Sequence, residues 1–103
     1  MFTVIETAIF RRSALEVWND DEREQFIDWI ASNPDAGDVI PGTGGLRKVR
    51  WTRAGMGKRG GARVIYFSRN APGEIWLLIA YAKAKFDNLP ASTLLQWKEA
   101  LDA

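Results

Sequence analysis

Between Gly42 and Arg69 the chain reads GTGGLRKVRWTRAGMGKRGGARVIYFSR, which holds eight cations (Arg47, Lys48, Arg50, Arg53, Lys58, Arg59, Arg63 and Arg69) and no acid. Trp51, Tyr66 and Phe67 are interleaved with them. Phosphates supply affinity for clustered cations and aromatic faces can stack bases, so this composition suits a polyanion, and RNA is the first partner to consider. The net charge of +1 conceals the polarity, because residues 1–41 carry nine acids against three bases. The chain has no histidine and no cysteine. Any acid–base catalysis must therefore use lysine, arginine, tyrosine or carboxylates. Zinc hydrolase and histidine-based ribonuclease mechanisms are excluded, as are a disulfide scaffold, a thiolate metal site and a cysteine nucleophile. No cofactor and no metal is called for.

At 103 residues the expectation is one domain, 1–103, able to bury a core without covalent staples. The N-terminus MFTVIETAIFRR has no basic segment followed by an apolar one, so no signal peptide is read and a cytoplasmic location is expected. The longest apolar run, Ile75 to Ala82, is far short of the ~20 residues of a membrane span. It reads as a buried strand, with no membrane partner.

The elements that must carry the cations can be placed by period and punctuation. Phe2 to Glu6 reads as an edge or second strand. Phe10, Ala14, Val17 and Trp18 share one face of a short helix. Asn19 or Asp20 can cap a second helix with an acidic first turn, whose apolar stripe is Phe26, Trp29 and Ile30. Asn33-Pro34 stops it, so a helical hairpin is predicted over residues 8 to 33. Pro34 to Gly45 is read as a connecting loop.

Leu46 to Arg53 alternates, putting Lys48 and Arg50 on one face and Val49 and Trp51 on the other. Ala54 to Gly61 is a glycine-rich hairpin loop offering Lys58 and Arg59. Ala62 to Ser68 and Glu74 to Lys83 are the next two strands, joined by the turn Asn70 to Gly73. A helix from about Pro90 to Leu101 closes the chain, with Leu94, Trp97 and Leu101 on one face. The predicted order is βααβββα.

Three blocks resemble the RelE/ParE toxin superfamily, most closely its HigB-type branch of mRNA interferases: Asp38 to Arg50, then Gly57 to Tyr66, then Leu77 to Lys83 followed by Leu89. The resemblance covers about residues 33 to 90. It implies an α+β, RelE-like fold: a twisted, mainly antiparallel sheet of about four strands, two N-terminal helices and a C-terminal helix, with helices on one side of the sheet and a basic concave surface on the other. It also implies the toxin of a type II toxin–antitoxin system, a ribosome-dependent endoribonuclease that cuts translated mRNA in the A site. The partners it implies are the ribosome, mRNA and a cognate antitoxin, typically a HigA-like helix-turn-helix protein.

Cleavage by an RNA 2′-hydroxyl requires removal of its proton, neutralisation of charge on the pentacoordinate phosphate and protonation of the leaving 5′-oxygen. Without histidine, fixed cations must dominate, and a lysine crowded by other cations can shuttle a proton. The family pattern G-x-R-[VLI]-[VI]-Y puts its strand arginine on Arg63, which the resemblance assigns to the scissile phosphate. The family's basic pair falls on Lys48 and Arg50, and its later lysine on Lys83. Tyr81 lies two residues before Lys83 on the same side, to stack a base or take part in proton transfer.

Lys48, Arg63, Tyr81 and Lys83 are thus the expected catalytic set. Arg47, Arg50, Arg53, Lys58, Arg59 and Lys85 are the expected RNA and ribosome contacts. The best-known RelE pattern also has a basic residue directly after the strand lysine and a tyrosine early in the final helix. Here Ala84 stands at the first and no tyrosine follows Tyr81, so the general base is unassigned and Lys85 is the available replacement.

Several residues have plainer readings. Tyr66 and Phe67 suit the core better than base stacking, and Trp18, Trp29, Trp76 and Trp97 suit core or rim packing. Trp51 fits either role. Asp20, Asp21, Glu22 and Glu24 cap and solvate a helix rather than bind metal. Neither glycine-rich segment matches a phosphate-binding P-loop. Two other functions remain open: a ParE-like toxin that inhibits DNA gyrase without ribonuclease activity, and an inactive RNA- or ribosome-binding relative.

Overall fold

The computed structural model describes residues 1–51, 61–82 and 89–102. Its elements are β1 (Thr3–Glu6), α1 (Ala8–Val17), α2 (Asp20–Ala31), β2 (Asp38–Val39), β3 (Arg47–Trp51), β4 (Ala62–Arg69), β5 (Glu74–Tyr81) and α3 (Ala91–Asp102). The helical hairpin forms as its caps dictate. Thr7 caps α1, its hydroxyl accepting from Phe10 N at 3.1 Å. Of the two candidates for the second cap, Asn19 takes the position in a reciprocal capping box with Glu22. Such a cap contributes about 1 kcal/mol. Beyond Ala31 the Asn33 amide donates back to Trp29 O at 2.7 Å, closing the helix before Pro34.

The strands form one mixed sheet in the order β1-β5-β4-β3-β2. β1 is one edge strand and runs parallel to β5, while every other pairing is antiparallel. At the β4–β5 turn Gly73 has a φ of 70°, a region open to glycine at little cost. Its N–H donates to Asn70 O and its carbonyl accepts from Thr3 N, so the turn also seats β1.

Five strands form where about four were expected. The extra one, β2, lies inside the segment read as a loop and pairs Asp38 with Lys48 and Val39 with Arg47. Two residues are too few to show a period, and the pairing is held from outside: Ile40 N donates to Leu46 O at 2.8 Å and the Arg47 guanidinium to Gly37 O at 2.7 Å.

A second correction concerns the layers. α1 and α2 pack on one face of the sheet, over Val49, Ala62, Val64, Tyr66, Ile75, Leu77 and Ala80. α3 packs on the opposite face, where Leu94, Trp97 and Leu101 join Leu46, Ile65, Phe67, Leu78 and Ile79. The helices therefore lie on both sides rather than one. The cause is that β4 and β5 are apolar at consecutive positions, as strands covered on both faces are.

Candidate nucleic-acid interface

Register decides which cations meet. Across β3, β4 and β5, Arg50 stands opposite Arg63, and Arg63 opposite Tyr81. The neighbouring row is Lys48, Ile65 and Ile79. Residues directly opposite on one face have Cβ atoms about 4.5–5.5 Å apart, and like charges so placed destabilise a sheet. Arg50 is exposed, and Lys48 and Arg63 are half-buried. The alternation of β3 therefore holds: Val49 and Trp51 turn to the two-helix face, Lys48 and Arg50 to the other.

That second face is divided along its length. α3 covers the half nearest the β4–β5 turn, where Lys98 Nζ lies 5.2 Å from the Phe67 ring centre. Phe67 and Trp76 stack at 5.9 Å, and the Arg69 guanidinium lies 4.9 Å from the Trp76 ring and 5.7 Å from that of Phe67. Arg69 and Lys98 are thus engaged with an aromatic pair, an arrangement worth roughly 0.5–2 kcal/mol per contact. Arg63 is six residues earlier on β4, roughly 20 Å away by strand rise.

Arg47, expected among the RNA contacts, is separated from Lys48, Arg50 and Arg63. It shares the parity of Val49 and Trp51, donates to Gly37 O and lies 3.6 Å from the Asp35 carboxylate. The Tyr66 hydroxyl completes this anchor, accepting from Gly37 N at 2.9 Å and donating to Pro34 O at 2.8 Å. A Cβ on Gly37 would sit 2.9 Å from Lys48 O, so only glycine lets the loop lie this close to β3.

Burial raises the pKa of Tyr66 above the ordinary phenol value, opposed by the Gly37 N–H and the charge of Arg47. The folded phenol keeps its proton to higher pH than the unfolded one. This group therefore leaves stability unchanged below about pH 10 and lowers it above, where the unfolded chain alone releases the proton. Tyr66→Phe is expected to cost about 1–3 kcal/mol near neutral pH by leaving Gly37 N–H and Pro34 O unpaired. It should also flatten the alkaline decline. Urea midpoints of both proteins between neutrality and strongly alkaline pH measure the two effects.

Tyr81 is 3% exposed, its ring packed in the cluster of Ile65, Ile79 and Leu94. That burial is incompatible with a base stacking on the ring and leaves proton transfer through its hydroxyl as the role to be tested. Trp51, for which two readings stood open, packs edge-on against Trp18 at 5.8 Å and against Phe26 at 5.7 Å on the two-helix face. Tyr66 and Phe67 are core residues as expected, at 0% and 3% exposure. Arg53, Lys58, Arg59, Lys83 and Lys85 lie outside the described residues.

Two hydroxyls that the sequence did not single out complete the sheet beside this row. β1 accompanies β5 only as far as Leu77. Beyond that point the Thr7 hydroxyl donates to Leu77 O at 2.8 Å, and Ser13 Oγ accepts from Ala80 N at 3.0 Å. Neither serine nor threonine on a helix announces such a contact in one sequence.

Among the described residues no group of three or more His, Cys, Asp or Glu could hold a metal ion, and no helix is long and apolar enough to cross a membrane. No family model matches the sequence. The fold is similar to that of the E. coli toxin RelE, solved in the free state as a double arginine-to-alanine mutant. The two superpose with a TM-score of 0.58 over 94% of this chain and 96% of that one, at 13% sequence identity. At that identity the likeness is one of architecture: the chain has a RelE-like α+β fold.

Proposed function

We propose that this chain is a type II toxin of the RelE/ParE superfamily, HigB-like in its motifs, and acts as a ribosome-dependent endoribonuclease on translated mRNA. The observation that carries the reading is the placement of Arg50 directly opposite Arg63, with Lys48 on the same face. Arginines at directly opposite register positions on one face bring two guanidiniums within reach of a single phosphodiester, which accepts charge-assisted contacts from both. Arg63 binds the scissile phosphate and stabilises charge developing on it. Lys48 and Arg50 orient the strand, and Tyr81 and Lys83 are the groups proposed for proton transfer.

The remaining basic residues Arg53, Lys58, Arg59 and Lys85 dock the ribosome or its RNA, with Arg47 acting through the loop it anchors. A helix-turn-helix antitoxin holds the protein inactive in the cytoplasm. The resemblance of the middle sequence block and the likeness of fold to a toxin support this reading together.

Induced expression without an antitoxin should halt growth and translation, and purified protein added to programmed ribosomes should cut mRNA at the A-site codon. The same preparation should leave gyrase supercoiling unchanged. Gyrase inhibition with intact mRNA would replace this reading by the ParE-like one. Ribosome binding without cleavage would identify an inactive relative.

A further inference from the structure

The edge of β5 beyond Leu77 has lost its strand partner, because β1 ends at Glu6 and the chain turns into α1. An N–H left unpaired at such an edge is costly when buried. Ala80 is 2% exposed, and its N–H is satisfied by Ser13 Oγ at 3.0 Å. The Ser13 hydroxyl proton is used in the other direction, donated to Phe10 O at 3.1 Å within α1. Ser13 therefore occupies the place of a strand partner, with its acceptor lone pair fixed by its own helix. Ala80 immediately precedes Tyr81, which stands opposite Arg63, and the chain continues from there to Lys83.

We infer that Ser13, on the far side of β5 from the cations, is a positioning residue that fixes the last turn of β5 and with it the Arg50–Arg63–Tyr81 row. Its bearing on catalysis rests on the functional reading above; its hold on the strand does not. Thr7 belongs to the same edge but serves α1 as its cap and reaches only Leu77 and Leu78. Ser13 is the one whose contact lies next to the row. The Ser13→Ala variant should fold, because alanine suits a helix interior better than serine. Ser13→Thr keeps the hydroxyl and can keep the bond to the carbonyl one turn back.

Amide hydrogen exchange and ribosome-primed mRNA cleavage, measured on the whole chain, test the inference. In Ser13→Ala the Ala80 and Tyr81 amides should exchange on the order of ten-fold faster, with Ile75 and Leu77 unchanged, since an unpaired strand end opens locally. The kcat should fall roughly ten- to hundred-fold at constant KM, as expected when a reacting group is displaced by a fraction of an ångström. Ser13→Thr should restore both.

Unchanged exchange at Ala80, equal acceleration along all of β5, or local loosening with intact kcat would each overturn the inference. Were the parent chain to cut no mRNA, the functional reading would fall, while the exchange pattern would still decide whether Ser13 fixes the row.

Discussion

Arg63→Ala is expected to lower ribosome-dependent mRNA cleavage about 10²- to 10³-fold and to abolish growth arrest, the effect typical of losing one donor fixed on developing charge. The fold should survive the change. Arg63 is half-buried on β4 directly opposite Arg50, so the change removes one of two like charges at opposed positions and takes nothing from the fully buried core. Arg63→Lys keeps the charge but not the two-pronged geometry, so it should retain ribosome binding and recover only part of the rate. Single-turnover cleavage with saturating ribosomes, read beside thermal unfolding of each variant, separates these outcomes. A folded Arg63→Ala protein that still cuts at the A site would overturn the assignment of this residue.

The contrast between Arg47 and Arg50 marks how far a single sequence could lead to this site. Period-two alternation assigns Lys48 and Arg50 to one face and Val49 and Trp51 to the other, as the structure has them. Arg47, expected beside Lys48 and Arg50 as an RNA contact, lies instead on the face of Val49 and Trp51, bound to Gly37 O and Asp35. What alternation cannot supply is which residue of the next strand stands opposite Arg50. That depends on the β3–β4 register and, toward β5, on an irregularity between Ile65 and Tyr66. The position of Arg63 in the row was reached through a motif resemblance, and the pairing supplies a geometric ground for it.

The helical hairpin was readable because its signals are local: Asn19 or Asp20 as a cap, acids in the first turn of α2, and Asn33-Pro34 as a stop. β2 was not, since two residues carry no period and are held by Tyr66 and Arg47 from elsewhere in the chain. The position of α3 on the second face had a signal that alternation obscured. Val64 to Phe67 and Leu77 to Tyr81 are buried without interruption, and a strand buried on both faces requires a cover on each.

The largest loss of stability is expected from Phe26→Ala, at about 3–5 kcal/mol, a substantial part of the 5–15 kcal/mol available to an ordinary domain. Phe26 is fully buried on α2. Its ring stacks on Trp18 at 5.2 Å, meets Trp51 edge-on at 5.7 Å and tilts against Trp29 at 6.1 Å. Truncation removes the ring that joins the hairpin to β3, and aromatic contacts of this kind add roughly 0.5–1.5 kcal/mol each beyond the buried area. The void would open beside Trp18 Nε1, already a buried donor without an acceptor.

Phe26→Leu fills most of the space and should cost considerably less. Because Trp51 adjoins Arg50 on the opposite face of the same strand, Phe26→Ala should weaken toxicity, but through lost stability of the fold. Denaturant midpoints distinguish the two losses: unchanged for Arg63→Ala, and sharply lowered for Phe26→Ala, with cleavage recovering when a temperature low enough to refold the variant is used. A Phe26→Ala protein of parental stability would show that the aromatic contacts among Trp18, Trp51 and α2 do not hold the hairpin to the sheet.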